Sequence, residues 1–163
     1  MFGVVCFHSA MIFRWLLLLV IAALTFTGCS AFNYEWRQAV NKPAVTNDIN
    51  GRWEGRWVSK ASGHQDKMRA LISKADTNHY DVKFHAAYQS ETFKFITVHF
   101  GYTVRMEAMA GTNGSVAFRG SENLGPLAGG VYTYEGYADP TNFCSAYDSK
   151  YDRGTFEMKR PVE

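Results

Sequence analysis

Along most of this chain apolar and polar residues alternate one for one. Gly51, Trp53, Gly55 and Trp57 fall on one side of an extended backbone, with Arg52, Glu54, Arg56 and Val58 on the other. Tyr80, Val82, Phe84, Ala86 and Tyr88 oppose Asp81, Lys83 and His85, and the pattern returns with Val116 and Phe118 against Arg119 and with Phe156 and Met158 against Glu157 and Lys159. A period of two denotes a strand with one dry and one wet face, the habit of antiparallel sheet. Turn clusters separate the runs: 61–63, 76–78, 111–114, 125–130, 139–142 and 148–154. Asn113-Gly114 is the sharpest, because both residues accept the positive φ of a type I′ hairpin. The predicted strands are 51–59, 67–75, 79–89, 92–109, 115–122, 130–139, 142–148 and 153–160. The fourth is too long to lie flat, so Gly101 is expected to mark a bulge, a corner or a break that makes nine strands.

No interval has the length and pattern of a helix, so the predicted fold is all-β. It is a single antiparallel meander of eight or nine strands, closed into a calycin-like barrel that leaves no bare sheet edge. The inward set predicted from parity is Trp53, Trp57, Phe84, Tyr88, Phe93, Phe95, Phe118, Tyr132, Tyr134, Phe143, Tyr147 and Phe156. So many rings favour a largely filled interior, although eight strands leave room for one small ligand.

The N-terminal part follows another rule. Trp15 to Ala23 is an unbroken apolar run behind a single cation, Arg14, and ahead of small and hydroxyl residues. A charged start, a short hydrophobic segment and a small-residue cut site form a secretory signal. A membrane span of about 20 apolar residues would have to bury Arg14, at roughly 2.5–3.5 kcal/mol. Met11 opens a tidier leader than Met1, which suggests that residues 1–10 are an extension.

Thr27-Gly28-Cys29, with Leu24 and Phe26 upstream, resembles a bacterial lipobox. That resemblance implies cleavage before Cys29 and acylation of its sulfur and amine. Acyl chains stabilise membrane attachment by about 0.8 kcal/mol per buried methylene, without any spanning helix. Ser30 after the cysteine is similar to a signal for the outer membrane, so the expected location is the periplasmic side of that membrane. Residues 1–28 are then signal peptide, 29–48 the lipidated N-terminus and a tether, and 49–163 the barrel domain. A short helix around Tyr34 to Val40, ended by Pro43, is expected within the tether, where Trp36 has the option of docking on the domain.

Length and charge narrow the rest. The chain has 163 residues, 47% of them apolar and 15% aromatic, enough for one core and too few for two. Arg14 is the one charged residue ahead of Cys29, so the remainder carries 16 basic and 15 acidic side chains, and nucleic acid is not an expected partner. Of three cysteines, Cys6 would leave with the signal and Cys29 would carry lipid, which leaves Cys144 single.

Catalytic motifs are missing: there is no Gly-X-Ser-X-Gly elbow, phosphate-binding loop or H-E-X-X-H, and no His-X-His or Cys-X-X-Cys pair. Neither a cofactor nor a metal is therefore expected. His64, in the turn before Asp66, is the one loop histidine beside a carboxylate and the best candidate if there is an enzymatic site.

Gly51-Arg52-Trp53 resembles the Gly-X-Trp of the first lipocalin strand. In that family the tryptophan crosses the closed end of the barrel beneath an arginine from near the last strand, a part open here to Arg153 or Arg160. A wider likeness is carried by 51–57, 63–64, 127–132 and 152–158, which resemble a set of bacterial secreted β proteins and lipoproteins without assigned activity. The leading expectation is a non-enzymatic envelope lipoprotein acting through protein contacts, and the rival is a carrier of a small apolar ligand. The candidate ligand-lining or barrel-closing residues are Trp53, Trp57, Tyr88, Tyr134 and Arg153. A cavity of about 300 Å³ or more would favour the carrier.

Overall fold

The structure, a computed structural model, describes residues 31–41, 48–89, 95 and 97–162. Cys29, the leader and Phe93 lie outside the described residues. Eight strands follow one another along the chain: β1 (Gly51–Ser59), β2 (Gln65–Lys74), β3 (His79–Gln89), β4 (Thr97–Ala110), β5 (Val116–Asn123), β6 (Val131–Ala138), β7 (Asn142–Ser149) and β8 (Arg153–Lys159). Each pairs antiparallel with the next, and β8 returns to β1, so the meander closes into a barrel. Closure satisfies backbone groups that an open sheet would leave as bare edges.

The turns do what their residues dictate. Asn113 and Gly114 both take positive φ, 56° and 74°, in the link between β4 and β5. At the link from β6 to β7 the Asp139 carboxylate accepts hydrogen bonds from the backbone N–H groups of Thr141 and Asn142 and from the Thr141 hydroxyl. Those bonds, the Thr141 ones foremost, hold the Asp139 carboxyl at about 2.

The outer face carries direct cross-strand ion pairs: Arg56 with Glu157, Asp81 with Arg105 and Glu107 with Arg119. Each stands in solvent, where water and salt screen the attraction, so these pairs contribute little to stability. The inner face holds the core, including Trp53, Phe84, Phe118, Tyr134, Phe143, Tyr147 and Phe156.

Three details depart from the alternation pattern. First, β4 begins at Thr97, five residues later than expected. Phe95 therefore sits in the link from β3 and is 85% exposed instead of inward. Second, Gly101 lies within an unbroken β4, paired with His85, so the strands number eight. Third, His85 points outward, as parity requires, yet is buried.

A helix over residues 31–40, α1, covers His85. Phe32 stacks on the imidazole at 4.7 Å, and Arg69 lies over the rings of both Phe32 and Trp36. Glu35 pairs with Lys83, and the Asn33 side-chain oxygen accepts a hydrogen bond from Arg69. The segment expected as a tether thus contains a helix laid against β2 and β3. No helix among the described residues is long and apolar enough to cross a membrane.

Candidate functional site

The two ends of the barrel are built differently. One end holds the start of β1, the end of β8 and the links β2–β3, β4–β5 and β6–β7. There Trp53 is fully buried, and its indole N–H donates to the Ile49 carbonyl at 2.8 Å. Arg160 lies over the indole, 4.2 Å from its centroid. Its guanidinium donates to the carbonyls of Asp48, Asn50 and Pro140. Burial lowers the pKa of Arg160, an effect that nearby Asp48 opposes. A planar fork with several donors suits this task, because it stacks on an aromatic face while gathering scattered carbonyls.

The closing arginine is therefore Arg160. Arg153 lies at the opposite end of β8, paired with Asp148 and exposed. Antiparallel pairing decides this: the start of β1 must lie beside the end of β8, and the register Glu54 with Lys159 carries on to Trp53 beside Arg160.

The other end contains a cavity of about 430 Å³. Trp57 from β1, Tyr88 from β3, Tyr132 from β6 and Tyr147 from β7 form much of its wall, with Phe156 below. The rest comes from a parting between two strands. β4 pairs with β3 from Thr97 to Glu107 but with β5 only from Met106 to Ala110. β5 continues through Ser121–Asn123 on β6 alone. Phe100 and Tyr102 on one bank, and Leu124 and Ala128 on the other, line the cavity.

Trp57 and Tyr88 meet edge to face, at 86° and 6.4 Å. His64 stacks on Trp57 at 5.4 Å and meets Tyr88 at 6.1 Å. The loop histidine is thus part of an aromatic cluster, and its Nε2 stands 3.9 Å from an Asp66 oxygen, longer than a hydrogen bond.

Tyr134 lies beneath the cavity, buried among Phe84, Tyr102, Tyr132 and Phe156. Burial raises the pKa values of Tyr102, Tyr134 and Tyr147, and for Tyr147 the neighbouring Asp152 carboxylate adds to the rise. All three are neutral phenols at any physiological pH.

Asp152 also lines the cavity. Its carboxylate accepts hydrogen bonds from Ser59 Oγ at 2.7 Å, Tyr147 Oη at 2.8 Å and its neighbour's backbone N–H at 2.8 Å. The Trp57 indole N–H in this half lacks a partner among the described residues, whereas the Tyr134 hydroxyl is hydrogen-bonded to Tyr102. An unsatisfied buried donor is costly unless something in the space beside it accepts the bond.

Of the candidate residues, Trp57 and Tyr88 line the cavity, Tyr134 supports it, and Trp53 seals the far end. The sequence reading missed Asp152, Tyr102 and Phe100. Asp152 sits in a turn and looked like turn chemistry, and nothing in the local pattern separates it from Asp139. Among the described residues, no group of three or more His, Cys, Asp or Glu side chains is placed to hold a metal ion. The chain matches no protein-family model, no curated protein and no solved structure.

Proposed function

We propose that this protein is a carrier, a small β-barrel that holds an apolar, ring-bearing ligand in the cavity at its open end. The carrying observation is the cavity of about 430 Å³ walled by Trp57, Tyr88, Tyr102, Tyr132 and Tyr147. That size falls within the range of pockets that enclose small ligands. The Trp57 Nε1 donor, without a partner among the described residues, adds a reason for a guest with an acceptor. The proposed setting is the cell envelope, with acylated Cys29 anchoring the mature chain to a membrane after loss of residues 1–28.

Mass spectrometry of small molecules that co-purify with the full-length protein under gentle extraction tests the carrier. A stoichiometric apolar compound, absent from a Trp57→Ala preparation, supports it. No bound compound, together with no uptake of a fluorescent apolar probe, overturns it. Location has its own test: Cys29→Ala abolishes acyl labelling, and labelling that persists sinks the anchor.

One observation favours a second reading, contact with another envelope protein. Met109, Ala117, Tyr137 and Cys144 are register partners across β4, β5, β6 and β7, on the outer face and exposed. The Cys144 thiol is free. A discrete crosslink from Cys144 in cells that Tyr137→Ser removes would support this reading; its absence leaves the row as plain surface.

A further inference from the structure

The chemistry of the cavity wall narrows the class of guest. Among the described lining residues a single side chain carries charge, the carboxylate of Asp152, and no Lys or Arg lines the space. The remaining polar groups of the wall are phenols and an indole N–H. An anionic guest would meet a like charge with no cation beside it on a largely apolar wall, which disfavours its entry. A cationic guest would find a counter-charge already held in place, since Ser59, Tyr147 and a backbone N–H fix the carboxylate.

The rings supply the second element. Trp57 and Tyr88 stand at 86° to each other, so two walls of the cavity meet as a corner. His64 covers one side of the Trp57 indole without itself lining the space. Tyr132 and Tyr147 lie across β6 and β7 with ring centroids 6.0 Å apart. Electron-rich ring surfaces at angles to each other, with a carboxylate nearby, suit an alkylated ammonium group, which is weakly hydrated and attracted to ring faces.

We infer that the cavity selects guests that carry an organic ammonium group, seated against Trp57, Tyr88 and Tyr147 with Asp152 as counter-ion, over carboxylates of the same size. The selection rests on the carrier reading above and deepens it.

Three probes of matched shape test the inference by isothermal titration on the full chain in lipid nanodiscs: 3-phenylpropyl-trimethylammonium, its neutral isostere with carbon in place of nitrogen, and 5-phenylpentanoate. The ammonium probe is expected to bind about tenfold more tightly than the neutral one, the ratio that about 1.4 kcal/mol of cation–π and ionic attraction gives, and the carboxylate more weakly than either. Asp152→Asn is expected to remove most of the difference while leaving the neutral probe unchanged. If that variant fails to fold, Trp57→Leu serves instead, lowering ammonium affinity more than neutral affinity. In the wild type, ammonium affinity should also fall with added salt while neutral affinity does not. Equal or tighter binding of the neutral probe overturns the charge selection and leaves the carrier standing. Binding of none of the three, with no uptake of an apolar fluorophore, overturns both.

Discussion

Trp53 and Trp57 lie four residues apart on one strand, on the same face, and have opposite surroundings. Trp53 is fully buried, bonded through its indole N–H and covered by Arg160. Trp57 is half-buried, with an indole N–H that finds no protein acceptor. The first end of the barrel is finished in the way of a folded core, with its polar atoms partnered and its rings enclosed. The second leaves a cavity and an unsatisfied indole donor, which a folded core avoids. The same residue type in one alternating pattern thus seals the core at one end and walls an open cavity at the other.

The largest effect that could break this contrast is on folding. Trp53→Ala is expected to cost about 3–5 kcal/mol, the range for emptying a large aromatic site in a core. Trp57→Ala should cost clearly less and instead abolish uptake of an apolar probe. Urea denaturation of both variants, with probe titration of Trp57→Ala, checks the pair; equal losses of stability would erase the distinction between the ends.

Next in size is the arginine over the closed end. Arg160→Ala removes charged donors from several carbonyls and a cation from an indole face, for about 2–3 kcal/mol. Arg153→Ala, at the exposed end of the same strand, should stay within about 0.5 kcal/mol. Thermal melts of the two variants compare them directly, and a costly Arg153→Ala would mean that the open end also depends on a strand-terminal arginine.

The last effect belongs to neither end and sharpens the contrast by locating acid sensitivity elsewhere. Burial beneath Phe32, with Arg69 and His99 nearby, lowers the His85 pKa to about 4. The unfolded chain takes up this proton near pH 6.5 while the folded one resists. The stabilising preference for neutral His85 is therefore whole above about pH 6.5 and is lost progressively toward about pH 4. The urea midpoint should fall across that window in the wild type and be flatter in His85→Gln, with Trp36 fluorescence reporting release of α1. Identical slopes would remove His85 as the cause.

The barrel itself was legible because alternation is a local property: each of the eight strands carries its own dry face, and the turn residues between them state where each one ends. The site was less legible, since parity tells which rings point inward but not which of them touch. The cavity depends on β4 parting from β5 above Met106, and that follows from unequal pairing lengths on the two sides of β4. Phe95 misled for a related reason, since an aromatic in a long link repeats the period of the strand it precedes. The burial of His85 depends on a helix from outside the strand pattern, so no reading of β3 alone could have shown it. Arg160 over Arg153 is different, because antiparallel return of β8 onto β1 already contains that answer.

The closed end joins residues that synthesis keeps far apart. Arg160 bonds the carbonyl of Asn50, 110 positions earlier, and β8 supplies the second partner of β1. Contacts so distant along the chain make for slow folding, because a long loop must close before they contribute. Until the eighth strand is present, β1 and β7 each keep an open edge and Trp53 has no lid. The domain is therefore expected to be indivisible in length: a chain cut after β7 is not a barrel missing one stave but a sheet with two sticky margins, prone to pair with its own copies.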